Sequence, residues 1–179
     1  MSDGNIFQEK FGKPSGGAAT KVVPYMNEWV QNFIRHAPFA VLSTSDAAGH
    51  CDASPKGGKP GFIKVLDDKH LLIPDVAGNR LFQSYDNVSR NPQAGLLFMI
   101  PGVNSTARVN GTVEVVDQAT LAAKNIEMEI FNPDEAAKIL QGLLVTVEEA
   151  YGHCPRAFNF SELWNEETIR QNKEQSPLG

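Results

Sequence analysis

Apolar positions along the chain fall into short runs with two-residue periodicity, separated by turn residues and by a few stretches of helical spacing. Phe39 to Thr44 is apolar and β-rich, and Ser45 to Gly49 carries the Asp46 and Gly49 punctuation of a turn. Cys51 to Ser54 predicts a second strand, and Pro55 to Gly61 a loop holding Lys56, Gly57, Gly58 and Lys59. Phe62 to Leu66 and His70 to Pro74 predict a hairpin around Asp67-Asp68. Gly95 to Ile100 is an unbroken apolar run, the pattern of a strand buried on both faces. Between Ser105 and Val116 the alternation is clean: Ala107, Val109, Gly111, Val113 and Val115 face one way, Thr106, Arg108, Asn110, Thr112 and Glu114 the other. Leu143 to Glu149 is the last predicted strand.

Helical spacing occurs after Pro24, where Trp29, Phe33 and Ile34 share a side until His36 and Pro38 end it. It recurs over Arg80 to Arg90 through Leu81, Phe82, Tyr85 and Val88, with Asn91-Pro92 as the stop. Residues 117–143 also read as helical, with a break at Asn132-Pro133, and His153 to Trp164 as irregular or helical. Six or seven short strands, joined mostly by connections too short for βαβ crossovers, predict an antiparallel barrel with helical plugs. No GxGxxG motif is present, which argues against a Rossmann fold. The expected layout is a flexible polar arm over 1–20, one domain over 21–165 and a polar tail over 166–179.

Composition narrows the function classes. Sixteen Lys and Arg against twenty-one Asp and Glu give a net charge of −5, which disfavours a nucleic-acid partner. No apolar run approaches a membrane span, and the N-terminal residues lack a signal-peptide core, so a cytoplasmic protein without a membrane partner is expected. The two cysteines, Cys51 and Cys154, match no zinc spacing and read as reduced thiols, and no metal site is expected.

Four groups of residues could carry chemistry. Asn79 suits a helix N-cap, and Arg80 at the first helical position would oppose the helix dipole unless an anion sat there; a solvated arginine is the plainer reading. Ser54-Pro55-Lys56-Gly57-Gly58 puts a hydroxyl, a cation and two glycines where a phosphate could approach the backbone, though an exposed turn has the same composition. Arg108 and Asn110, two apart on a strand, share a side and could hold a polar ring edge or a phosphate. His153-Cys154-Pro155-Arg156 offers a histidine beside a thiol, but strand neighbours point to opposite faces, so a lining role fits better than nucleophilic catalysis. Trp164 could stack on a ligand or fill an interface.

The order of these motifs resembles the pyridoxamine 5′-phosphate oxidase-related, FMN-binding split-barrel family, in particular a bacterial subgroup of flavin-nucleotide-binding proteins. The resemblance spans about residues 25–165. It rests on Ala40-Val41-Leu42-Ser43-Thr44-Ser45-Asp46, Cys51-Asp52-Ala53-Ser54-Pro55-Lys56-Gly57-Gly58, Leu71-Leu72-Ile73-Pro74, Gly78-Asn79-Arg80, Arg108-Val109-Asn110-Gly111, Val147 to Tyr151, His153-Cys154 and Leu163-Trp164.

The resemblance implies a mainly β, six-stranded antiparallel split β-barrel with flanking helices, paired as a homodimer with FMN at the interface. Asp52, Ala53, Ser54, Pro55, Lys56 and Gly57 would lie along the flavin and its phosphoribityl chain. Ile73 and Pro74 would approach the ring through backbone, and Asn79 and Arg80 would hold the phosphate. Arg108 and Asn110 would come from the strand that meets the partner's cofactor or lies near it, and His153, Cys154, Arg156 and Trp164 would close the site. The implied activity is FMN-dependent redox chemistry on a small molecule. The polar tail after Trp164 lacks the oxidase's basic arrangement, so oxidation of pyridoxine phosphate is not expected. The alternatives are a flavin carrier or redox sensor, or a split barrel using haem or deazaflavin; His153 is the one motif histidine suited to haem, and a packed histidine explains it as well.

Overall fold

The structure, a computed structural model, describes residues 5–78, 80–127, 129–135 and 137–178. Two short helices, α1 (Ile6–Phe11) and α2 (Gly17–Thr20), precede α3 (Glu28–His36). The strands β1 (Phe39–Ser45), β2 (Cys51–Gly57), β3 (Lys64–Val65) and β4 (His70–Val76) follow, then α4 (Gln83–Arg90). The long antiparallel strands β5 (Gln93–Met99), β6 (Thr106–Asp117) and β7 (Ile139–His153) come next, with α5 (Gln118–Ala123) between β6 and β7. Helices α6 (Arg156–Ser161) and α7 (Glu166–Glu174) complete the chain.

The fold is mainly β and antiparallel, but the six-stranded closed barrel is not what forms. Seven strands make one open sheet in the order β2-β1-β5-β6-β7-β4-β3, and its two end strands are not paired with each other. The sequence gives a physical reason at each end. Pro55, inside β2, has no N–H to give a further strand and suits an edge. At the other end β3 is only two residues long, too short to carry a ladder onward.

One face of the sheet holds the core. Ala40 and Leu42 of β1, Leu96 and Phe98 of β5, Ala107, Val109 and Val113 of β6 and Val145 and Val147 of β7 are buried there. Val30, Phe33 and Ile34 of α3 pack into the same core. The N-cap of α3 is Asn27, whose side-chain oxygen accepts from the Val30 N–H at 3.0 Å. Trp29 stays 47% exposed, its ring 5.2 Å from that of Phe33.

Several boundaries differ from the sequence reading. The strand around Cys51 continues to Gly57, so Pro55 and Lys56 belong to β2 and not to a loop. The run Gly95 to Ile100 is not buried on both faces but alternates within β5. Among the described residues of 117–143 only α5 is helical, and β7 begins at Ile139. Helix α4 begins at Gln83, because Arg80 and Phe82 both have left-handed backbone, with φ 61° and 51°, which breaks the helical path. Arg80 is therefore not a first-turn helical residue, and Asn79 lies outside the described residues.

A β-bulge decides which residues reach the open face of the sheet. On β6, Asn110 pairs with Glu149 but Gly111 pairs with Val147, leaving Glu148 of β7 as the extra residue. Val145 and Val147 point to the core before the bulge, and Ala150 does so after it. Tyr151 and His153 are consequently turned onto the opposite face, level with Arg108 and Thr106.

Candidate functional site

Two separate groups of candidate residues emerge, on opposite faces of the sheet. The first sits where the curled sheet fails to close. Ser54, Pro55 and Lys56 of β2 line a cleft of about 290 Å³ together with Asp75 and Val76 of β4, Gly78, Arg80, Leu81 and Phe82 of the following loop, and Gln83, Ser84 and Tyr85 of α4. Pro55, Lys56, Asp75 and Val76 also border a neighbouring cleft of about 200 Å³, which takes in Gly57, Phe62, Pro74, Glu129 and Ile130.

Strand alternation sorts the β2 residues. Asp52, Ser54 and Lys56 pair with Thr44, Leu42 and Ala40, all three buried, and so point toward the core side and α4. Ala53, by contrast, pairs with Ser43 and is exposed on the other face. Helix α4 is fastened to this side by polar contacts. The Asn87 Nδ2 donates to Asp52 Oδ2 at 2.7 Å and to Thr44 Oγ1 at 3.0 Å, and the Ser54 and Ser84 hydroxyls are 3.1 Å apart. Asn87 and Ser84 are both buried, so these bonds settle groups that would otherwise be costly to desolvate.

Asp75 and Tyr85 belong to the same cleft. Burial pushes the Asp75 carboxyl above its ordinary value, opposed by the positive Lys56 and by hydrogen bonds to Tyr85 and Gln141. Burial and the adjacent Asp75 push the Tyr85 phenol well above its own. The cleft thus offers two serine hydroxyls, the Tyr85 phenol and two cations beside one carboxyl of raised proton affinity. Ile73 is 2% exposed and its side chain belongs to the core.

The second group lies on the open face. Arg108, Asn110 and His153 line a cleft of about 280 Å³ with Ser43, Gly95, Leu96 and Leu97. The Arg108 Nε donates to Asn110 Oδ1 at 3.2 Å, and the Asn110 amide donates to Glu149 Oε2 at 3.0 Å. Tyr151 is the hub: Lys21 Nζ is 4.7 Å and the Arg108 guanidinium 5.7 Å from its ring centroid, and His153 packs at 4.9 Å. Lys21 also donates to the Gly152 carbonyl at 3.4 Å. Burial, then the charges of Lys21 and Arg108, hold the His153 imidazole below its ordinary value.

His153 and Leu97 also border a third, larger pocket of about 700 Å³ with Cys154 and Arg156. Trp164 lies in a further pocket with Gly102, Asn104 and Phe158, a residue that also lines the larger pocket. Its Nε1 donates to the Val103 carbonyl at 3.2 Å, and its ring stacks on Phe158 at 5.8 Å. Cys51 and Cys154 are both free and exposed.

The sequence profile of the pyridoxamine 5′-phosphate oxidase family matches residues 26–154. The chain belongs to the pyridoxamine 5′-phosphate oxidase-related FMN-binding split-barrel superfamily. The match begins in the residues leading into α3 and ends just past β7, so it includes both candidate groups. No curated protein matches the chain significantly.

Solved structures of this superfamily's fold include a candidate pyridoxamine 5′-phosphate oxidase from Lactobacillus delbrueckii, with a TM-score of 0.54 and 21% identity over 74% of this chain and 99% of that one. HupZ from Group A Streptococcus superposes with a TM-score of 0.53 and 17% identity over 71% and 93% of the respective chains. At these identities the likeness concerns the fold.

Sequence reasoning missed Asp75, Ser84, Tyr85 and Asn87 in this member of the superfamily. A signal existed for two of them: Ser84 and Asn87 fall at the i, i+3 spacing of the face that carries Val88, and polar residues on a buried helix face need partners.

Proposed function

We propose that the protein binds FMN as a homodimer and acts as an FMN-dependent oxidoreductase on a small molecule. The observation that carries the reading is the donor set of the cleft at the sheet's opening, where Ser54, Lys56, Arg80 and Ser84 converge. Two hydroxyls and two cations suit a phosphate monoester, and the superfamily membership says which phosphate to try first. Asp75 is the one carboxyl among the lining residues, and its raised proton affinity limits the repulsion it would exert on an anion.

In this reading Lys56 and Arg80 bind the phosphate and the two serines orient it. Asp52 works indirectly by holding Asn87 and thus the α4 side of the cleft, while Ala53, Pro55, Gly57, Ile73 and Pro74 contribute backbone and wall. When bound, FMN supplies the electron transfer, and the chain supplies position and access. The open face has a different task. Arg108, Asn110 and His153 lie across the sheet from the phosphate cleft, so they serve the flavin of the second subunit, with Cys154, Arg156 and Trp164 further out on the same side. That division requires the homodimer.

A flavin carrier or sensor would use the same cleft. The enzyme is favoured because a pocket of about 700 Å³ stands beside His153, large enough for a second molecule.

The test is the absorption spectrum of the full chain after saturation with FMN and removal of unbound flavin, with the mass in solution measured alongside. The expected outcome is retained flavin on a dimer, with affinity falling roughly ten- to a hundredfold in Arg80→Ala and Lys56→Ala, as for the loss of one charge-assisted contact each. A colourless protein, or variants that bind as tightly as the parent, would overturn the assignment.

A further inference from the structure

The largest of these pockets has a chemistry of its own. Its floor is Leu97 and Met99 of β5 with Thr106 of β6; its wall is Ala157, Phe158, Phe160 and Ser161 of α6; Leu163 closes one end. Its volume, about 700 Å³, is in the range of pockets that enclose a molecule of drug or metabolite size. The polar groups at its rim are few and of one sign or neutral. Arg156 is the only charged side chain among the described lining residues apart from the titratable His153 and Cys154, and no Asp or Glu lines it. The nearest carboxylate in sequence, Glu162, lines the pocket of Trp164 instead.

Arg156 is held at the rim by the ring of Phe160, with its guanidinium 4.7 Å from the centroid. That contact spends one face of the guanidinium on an aromatic wall and leaves the N–H edge to an incoming acceptor. Lys21 and Arg108 stand just beyond His153, which borders both this pocket and the Arg108 cleft. An anion at the mouth therefore meets Arg156 directly, with Lys21 and Arg108 further off beyond His153, while an apolar body finds Leu, Met and Phe walls. A cation would meet the same three charges as repulsion, and a neutral polar molecule would lose water against apolar walls without recovering hydrogen bonds.

We propose that this pocket is the substrate subsite and that it selects an apolar molecule carrying a single carboxylate or sulfonate, anchored by Arg156. The inference rests on the flavin reading for the word substrate, because His153 joins the pocket to the cleft assigned to the partner's flavin; the binding preference itself stands on the pocket alone.

The test uses the full chain with 8-anilinonaphthalene-1-sulfonate as a fluorescent apolar anion, competed by decanoate, decanol and decylamine. Saturable binding is expected, displaced by decanoate in preference to decanol and not by decylamine. Arg156→Gln should weaken it roughly tenfold, the loss of one charge-assisted contact, and Met99→Glu should abolish it, both with unchanged circular dichroism. FMN retention by Met99→Glu, whose side chain lines this pocket and neither flavin cleft, is read by absorption and keeps the two assignments separate. A protein that binds the anion with this selectivity but takes up no FMN keeps the subsite and overturns the flavin reading. Equal binding by Arg156→Gln, displacement by decylamine, or a dimer with no saturable binding overturns the proposal; the last would give the pocket to the second subunit.

Discussion

Lys56 and Asp75 line the same cleft although β1, β5, β6 and β7 all lie between their strands in the sheet order. The curl of the sheet brings its two ends together at this pair, and the lack of a ladder there leaves the cleft. Lys56 acts on Asp75 through its charge across the gap rather than through strand pairing, and the opening that results is where an anion is proposed to bind.

Asp75 gives the first expectation. Its folded-state proton affinity is raised by burial, so above the ordinary carboxyl value of 3.8 the folded protein holds its proton more tightly than the unfolded chain does. Stability contributed by this group is present below that value and is lost as pH rises through the folded-state value. Asp75→Asn should remove that loss and flatten the acid side of the stability curve. Chemical denaturation from pH 4 to pH 8 measures it, and a variant less stable than the parent at pH 8 would contradict the account.

Asn87→Ala should cost about 1–3 kcal/mol, the usual penalty for leaving buried partners unsatisfied. The bonds lost are those to Asp52 and Thr44. Because α4 carries the Ser84 side of the cleft, FMN affinity should fall as well, without any direct contact being removed. Asn87→Asp is informative beside it: a carboxylate facing Asp52 should be worse than alanine at neutral pH and recover in acid.

His153 should titrate below the ordinary imidazole value of 6.5, first because of its burial and then because Lys21 and Arg108 stand close. The folded state disfavours the imidazolium, so this group lowers stability as pH falls through 6.5 toward its folded value. Nuclear magnetic resonance of the imidazole across pH 4–8 reports the midpoint. Lys21→Ala should raise it by removing one positive neighbour, whereas an unchanged midpoint would leave burial and Arg108 as the causes.

Gly111 sits at the bulge, where a Cβ would collide with the Thr146 carbonyl and crowd the Val147 backbone. Gly111→Ala should destabilise by about 1–3 kcal/mol, as overpacking of a tight site does. If the bulge relaxes to regular pairing, Tyr151 and His153 rotate off the open face toward the core, and the deeper burial should lower the His153 midpoint further. Thermal denaturation and the same imidazole titration check both parts.

The sequence was informative where a local rule suffices. The alternation from Ala107 to Val113 placed Arg108 and Asn110 on one face, as found, because strand periodicity depends only on the backbone. The motif order carried the superfamily. Local rules failed where a long-range contact overrode them. Pro55 and Lys56 read as a loop, yet pairing with β1 draws them into β2. Arg80 read as helical, yet left-handed backbone at Arg80 and Phe82 delays the helix to Gln83.

By itself, then, the sequence determined the antiparallel β character, the two faces of the strand that carries Arg108 and Asn110, and the superfamily, since these follow from periodicity, connection length and residue order. The tertiary structure decided three things. It left the sheet open, because neither edge strand is built to pair further. It joined Lys56 to Asp75 across that opening, because only the curl of the whole sheet makes them neighbours. It turned His153 to the open face, because one unpaired residue at Glu148 reverses the alternation of everything after it.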